Sequence, residues 1–591
     1  MKRKLKKSKW SNLSFFKKNI LLIMLCFTLL SISSIAYSAL NQELNITGDL
    51  VLRSIKDIRI TSLELTSTNN EAYEQYNSKY TVDSVSLYVN LPNVGSTIIY
   101  KASIKNLGTV PMEIETLSSS LGSTSSGVIY TIDGIELGTV IEAGNTQEFT
   151  ITLERTTNST NKEVSFLLEL SWIESIPPEL YTDPILVGND PNLLNDSLTP
   201  VIYNGTNWVV ADTTEKWYDY SNQEWANAVI LNSGVTKNVG DIVTVPTDTS
   251  TTTDVKAMYV WIPRYEYHIE GTYGKGGTSA DLPGEIEVKF IPRSQTSADS
   301  NYILHPAFTW DNDSNGIIIA SEHITGIWVG KFETTGDAST PTILPNISSL
   351  REQTVSAQFT TAQKFATYLT NSTNTDSHMM KNSEWGAVAY LSQSIYGKYG
   401  NTLYTGANKE VYKNVSSGHY TGRSSGKPSA SGDSDAGTCL YNDITDRGDG
   451  TGSCGAGAST TGNITGVYDM SGGAVECTMG YLTTASSTWG AASSGNNAGF
   501  TSAPDSKYYD SYTSTTATTA CNGGICYGHA LSETSGWYSD LAGFVSANNP
   551  WFPRGGVYSR STFAGVFLLL SSNGNASSSS ASRSVLLTPG V

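Results

Sequence analysis

From Trp551 to Val591 the chain reads WFPRGGVYSRSTFAGVFLLLSSNGNASSSSASRSVLLTPGV. A Gly555–Gly556 turn, the apolar run Ala564–Leu570, a string of serines and a lone Arg583 leave two readings open. The segment is either the working end of an enzyme or a frame that displays exchangeable side chains. A short apolar run of this kind reads as a core strand.

Working outward, the 300 or so preceding residues mix strands and helices (roughly one domain's worth). MYVWIPRYEYHI (Met258–Ile269) begins as a strand with alternating aromatics. HPAFTW (His305–Trp310), a polar turn and GIIIASEHITGIWVGKFETT (Gly316–Thr335) read as a hairpin. SAQFTTAQKFATYLT (Ser356–Thr370) and NSEWGAVAYLSQSIYG (Asn382–Gly397) place apolar residues at helical spacing, with Trp385, Val388, Ala389 and Ser392 on one face. Ser383 or Asn382 is the expected cap of the second helix. A long Gly-, Ser- and Asp-rich stretch then leads to GVYDMSGGAVECTMGYL (Gly466–Leu482). The expectation is an α+β domain over residues 255–591.

The N-terminal half differs. SVSLYVNLP, TIIYKASIKNLG, GVIYTIDG, QEFTITLER and EVSFLLELSW are short β-branched runs separated by turn clusters. Their spacing predicts an all-β sandwich over 44–173. No histidine occurs there, and no catalytic constellation. Consecutive prolines in ESIPPELYTDP mark a linker, so 174–254 reads as a linker plus a small β-module whose Trp and Tyr residues close its core. Residues 1–38 combine a basic stretch, the apolar run Ile20–Ile35 and a small-residue exit, the pattern of an export signal peptide or, uncleaved, a membrane anchor.

Composition narrows the function. The 591-residue chain has net charge −17, and only 15% of its residues are charged. Eight of its 37 Lys/Arg and none of its 54 Asp/Glu fall within residues 1–38, so the rest is more acidic still. Such a surface repels nucleic acid and anionic headgroups, leaving the N-terminal segment as the only expected membrane contact. Five cysteines lie outside the leader: Cys521 with Cys526 and Cys439 with Cys454 can close small loops, which leaves Cys477 over.

Six motifs in order carry a resemblance: VWIP, WVGKFET, KNSEWGAVAYLS, GVYDMSGGAVECTMG, PRGGVYS and ASRSVLL, spanning Met258–Leu587. Together they resemble the formylglycine-generating, sulfatase-modifying enzyme family, which implies a C-type-lectin-like fold with few regular elements and long loops. The resemblance places Glu476 in that fold's defining motif. The family's oxidases hold copper through two cysteines shortly after the Gly-Gly turn. The matching positions here are Arg560 and Gly565, and neither supplies the soft thiolate that Cu(I) needs. Nor do the six scattered histidines form an H-x-x-x-H pair.

The tail is also similar to the variable proteins of diversity-generating retroelements, in which mutagenic copying of adenines diversifies surface codons on this fold. Mutated AAC codons never give Lys, Glu, Gln or Met, and none of these follows Glu533. That resemblance implies display positions at Val557, Ser559, Arg560, Ser561, Phe563, Leu568, Leu570, Ser572, Ser577 and Ser579. Gly555, Gly556, Ala564, Gly565, Val566, Phe567 and Arg583 would be framework.

Two further motifs stand apart. Asp311, Asp313, Asn315, Gly316 and Glu322 match D-x-[DN]-x-[DN]-G-x5-E, the oxygen-rich calcium loop, but the flanks read as strands and a plain hairpin turn competes. Asp443, Asp446 and Asp449 surround an Arg-Gly-Asp triplet in a loop that reads as solvated. The expected protein is an exported, cell-surface, non-catalytic binder of a surface protein or glycan. It needs no cofactor unless calcium occupies that loop. The alternatives are an oxidase of the resembled family and a structural surface-layer component.

Overall fold

The computed structural model describes residues 56–589 apart from 123–126, 159–161, 176–179, 196, 248–252, 370–374, 429–437, 522–524 and 561–562. The export-signal segment and Ser561 lie outside the described residues. The chain divides into two compact units, Met1–Pro177 and Pro178–Val591, and it is β-rich throughout. Among the described residues no helix is long and apolar enough to cross a membrane.

In the first unit, strand Thr97–Asn106 buries every second residue: Ile98, Tyr100, Ala102 and Ile104. Period-two alternation turns that apolar set to one face. The strand pairs antiparallel with Ile58–Asn69 and Thr146–Arg155, and Val128–Asp133 completes a four-stranded sheet. Ser84–Asn90, Glu163–Glu174 and Met112–Leu121 form most of a second sheet. Its inward residues, among them Leu87, Phe166 and Leu168, share one core with those of the first. Each such side chain contributes about 1.5–3 kcal/mol by burial.

The second unit is built on an eight-stranded sheet. Its order is Ile242–Val243, Trp208–Val210, Thr199–Tyr203, Asn227–Leu231, Val255–Pro263, Gly326–Gly330, Ser584–Leu587 and Asp376–Met379. This corrects the reading of 174–254 as a linker with its own small module. Asn227–Leu231 pairs with Val255–Pro263 from Asn227↔Val260 to Leu231↔Val255. Trp208, Tyr220 and Trp225 are buried in the core shared with the rest of the unit.

Strand Val255–Pro263 is buried at eight of nine positions, as happens when both faces of a sheet are covered. The expected hairpin after His305 also needs correction. Its two arms meet only in the bridge Thr309↔His323, while Gly326–Gly330 joins the large sheet. A five-stranded sheet holds Asp510–Tyr512, Val475–Leu482, Trp551–Gly555, Gly565–Leu569 and Ser580–Ala581.

Both expected helices form, at Val355–Ala362 and Asn382–Ser392. Thr354 caps the first, accepting from the Ala357 N–H at 3.3 Å. The cap of the second is neither Asn382 nor Ser383, which lie inside it. Lys381 holds that position, and the Glu384 carboxylate accepts from the Lys381 N–H at 2.8 Å. Asn382 and Ser383 are drawn away by tertiary partners, Tyr512 and Asp510. Every residue of this helix is buried.

Candidate binding pocket beside the Gly-Gly turn

Strand Trp551–Gly555 ends at Gly555 and Gly556, with φ +76° and +78°. Both positions require glycine. A Cβ on Gly555 would lie 3.2 Å from the Met470 carbonyl, and one on Gly556 would lie 2.9 Å from Ala564. The chain then turns through Val557–Arg560, closed by the Arg560 N–H to the Val557 carbonyl at 2.9 Å. The Tyr558 N–H donates to the Gly473 carbonyl at 2.9 Å, and the Tyr558 ring meets His419 edge-on at 4.7 Å.

This turn forms one wall of a concavity of about 540 Å³, to which Val557, Tyr558, Ser559 and Arg560 contribute. Arg351, His419, Ser578 and Ser579 supply the rest. The Arg351 guanidinium is fastened by its Nε to the Ser349 carbonyl (3.3 Å), by Nη1 to the Ser578 carbonyl and by Nη2 to Ser348 Oγ (3.4 Å). The serine arm is ordered in turn. Ser577 and Ser579 hydroxyls lie 3.2 Å apart, and the Glu352 N–H donates to the Ser577 carbonyl at 2.9 Å.

A buried polar frame braces these walls. Arg583, fully buried, contacts Glu476 through Nη2 at 2.5 Å and Nε at 3.0 Å. It also donates to the carbonyls of Gly330 (2.7 Å) and Tyr468 (2.8 Å). Burial pushes the Glu476 carboxyl up to about 7, although Arg583 pulls it down. Glu333 is held well above the carboxylate range by burial and then by Asp469 and Glu476. Its carboxyl meets the Ser349 hydroxyl, which sits 3.0 Å from the His419 carbonyl. The core acids thus connect to the pocket wall through one hydroxyl.

Of the sequence-derived display positions, Val557, Ser559, Arg560 and Ser579 line the pocket. Ser577 is half-buried beside it. Phe563 is 50% exposed but outside the lining. Leu570 and Ser572 are half-buried in the chain after the last apolar strand, where Ser572 pairs with Trp551. Leu568 is a correction: it is 0% exposed inside strand Gly565–Leu569, where both faces are covered, and it cannot display anything. Sequence reasoning missed Arg351, His419, Tyr558 and Ser578. Arg351 and His419 come from distant segments, and the sole local signal is a single cation in SSLREQT.

The calcium-type loop brings the Asp311, Asp313 and Glu322 carboxylates within 4.8 Å of one another. Their oxygens already cap the loop's own N–H groups. Asp311 accepts from Asn315 (3.0 Å) and Gly316 (2.8 Å), and Glu322 from Asn312 (2.9 Å) and Ile319 (3.0 Å). Asn315 is exposed and engaged within the loop, its Nδ2 donating to Asp313 and its Oδ1 accepting from the Ile317 N–H. No α-helix flanks the loop; the 3-10 turn Pro306–Phe308 precedes it and the 3-10 turn Ala320–Glu322 ends it. These residues can add lone pairs to a cation, but they also suffice to fold the turn without one.

Asp443, Asp446 and Asp449 each close a separate turn, accepting from Thr445, Gly448 and Thr451 respectively. Cys439–Cys454 and Cys521–Cys526 form disulfides. Cys477 is buried, and burial lifts its thiol to about 11, so it is neither exposed nor thiolate-like. Of the two positions matched to copper-binding cysteines, Arg560 lines the pocket, while Gly565 has no room for a side chain. A Cβ there would lie 2.1 Å from Asp540 Oδ1. Four histidines are buried; His529 and His268 are half-buried, and His268 contacts the Asn301 carbonyl.

No protein-family model matches the chain, and no curated protein matches it.

Proposed function

We propose that the protein is an exported, cell-surface ligand-binding protein. Its second unit would be a C-type-lectin-like domain of the formylglycine-generating type, and its binding face the pocket beside the Gly555–Gly556 turn. The observation that carries this reading is convergence. Four positions marked in the tail as display sites meet Arg351, His419, Tyr558 and Ser578 around one concavity, on a frame of glycines and a buried Glu476–Arg583 pair. Tyr, Ser and Arg on a rigid frame bind by shape and adaptable hydrogen bonds, as in antibody paratopes. The Asp540 carboxylate packed against Gly565 weighs against the oxidase alternative.

The test is a screen of the full chain against arrayed glycans and surface proteins, repeated with Arg560→Ala and Ser579→Tyr. A partner that binds the parent and loses both variants supports the pocket; binding indifferent to both removes it. Sequencing the codons for residues 546–591 across a source population tests diversification, which predicts variation at Val557, Ser559 and Arg560 with Gly555, Gly556 and Arg583 fixed. Calcium remains a proposal for the Asp311–Glu322 loop. Added calcium should raise the melting temperature of the parent chain and not that of Asp311→Ala.

A further inference from the structure

We propose that this pocket selects an oxyanion on a polyhydroxylated ligand, most simply the carboxylate of an acidic sugar; the inference rests on the pocket being the binding face. Charge is the first ground. The chain carries 54 acids against 37 Lys/Arg, yet among the described lining residues there are two arginines and no carboxylate. Glu352, the neighbour of Arg351 in sequence, is not part of the lining. A cationic hollow in an acidic chain concentrates anions locally and excludes polycations.

The second ground is the state of Arg351. A guanidinium has five N–H donors in a planar fork. Three are engaged, by Ser349, Ser578 and Ser348. Among the described residues one N–H therefore remains on each terminal nitrogen, on a group whose orientation is already fixed. Paired N–H groups of this kind match the two oxygens of a carboxylate, and fixing the fork beforehand lowers the entropy lost on binding. Arg560 lines the same pocket, is exposed and has no side-chain partner among the described residues.

The remaining lining decides what carries the oxyanion. Tyr558, Ser559, Ser578 and Ser579 offer hydroxyls that both donate and accept, as sugar hydroxyls require, while Val557 is the single aliphatic side chain. An apolar acid would leave those hydroxyls unpaired against it, at a cost per group that favours polar ligands.

Calorimetric titration of the full chain tests this with three probes: a uronic-acid oligosaccharide, its carboxyl-reduced neutral counterpart, and inorganic sulfate. The expected result is binding of the acidic sugar, at least about tenfold weaker binding of the neutral one, and a further loss at high salt. Arg560→Gln, at an exposed site that leaves the fold intact, should weaken the acidic sugar about tenfold and the neutral one by distinctly less. Arg351→Lys, which keeps the charge and removes the fork, should do the same. Equal binding of the acidic and neutral sugars, sensitive to Arg560→Gln, overturns the charge selection and leaves the pocket reading standing. Binding of neither sugar overturns the inference, and sulfate binding as tightly as the acidic sugar overturns its polyhydroxylated part.

Discussion

An imidazole locked between two carboxylates makes His378 a pH-dependent brace. Its Nδ1 lies 2.7 Å from Asp376 and its Nε2 2.9 Å from Glu384; His378 and Glu384 are fully buried and Asp376 is half-buried. Burial alone would favour the neutral ring, but Glu384 and Asp376 together overcome it and raise the imidazole to about 9. Burial likewise opposes the Glu384 charge, yet His378 and Lys381 hold it near 2. The raised His378 contributes stability that is full below about 6.5 and lost as pH climbs through about 9. The lowered Glu384 contributes stability that is full above about 4.5 and lost as pH falls through about 2. The melting-temperature gap between the parent and His378→Gln should therefore be widest between those limits and narrow above about pH 9. A gap constant across the alkaline range would refute the charged brace. Arg583 is a second buried cation that braces carboxylates. Removing it as Arg583→Met leaves Glu476 facing Glu333 and Asp469 without a cation, at a cost of about 3–5 kcal/mol. The double variant Arg583→Met/Glu476→Met should regain part of that in denaturant midpoint.

At the scale of elements, the helix Asn382–Ser392 separates what a sequence states from what it withholds. Its period and position were legible in Trp385, Val388, Ala389 and Ser392. Its cap was not, because Asn382 and Ser383 are recruited by Tyr512 and Asp510, which lie well over a hundred residues away. Nor was its burial on every side, since periodicity marks one apolar face and cannot show that the opposite face is covered too. The same blindness misplaced Leu568, on a strand covered above and below. Gly386 is the price of that burial: a Cβ there would lie 1.9 Å from the Gly528 carbonyl, a backbone atom that cannot swing aside. On propensity alone Gly386→Ala would stabilise a helix by about 1 kcal/mol. Here overpacking should reverse the sign, with a net loss of about 1–3 kcal/mol in chemical unfolding. A stabilised variant would mean that the helix and the Gly528 loop are less closely apposed than described.

For the whole molecule, legibility follows the clarity of the local period and not the choice of partner. The first unit is built from alternating strands, so its period-two pattern announces it although its pairings are distant in sequence. The eight-stranded sheet of the second unit places Ser584–Leu587 between Gly326–Gly330 and Asp376–Met379, pairings that span more than two hundred residues. No local pattern encodes a partner choice, and so even the short-range pairing of Asn227–Leu231 with Val255–Pro263 was missed and the strands between 199 and 243 were set apart as a separate module. The pocket shares this origin. Its tail wall was marked by motif, while Arg351 and His419 arrive only through the fold.

The closing strand also yields a whole-molecule test. Val585, Leu586 and Leu587 are exposed by 1% or less, and deleting them forfeits about 5–9 kcal/mol of burial. That is comparable with the entire stability of a typical domain, about 5–15 kcal/mol. The strand's loss also leaves the backbones of Gly326–Gly330 and Asp376–Met379 without their shared partner. The first unit has its own core, from Ile58 to Leu170. A chain ending at Arg583 should therefore lose the calorimetric transition of the second unit. The transition of the first unit should persist at its former temperature. If both transitions vanish together, the two cores do not fold independently.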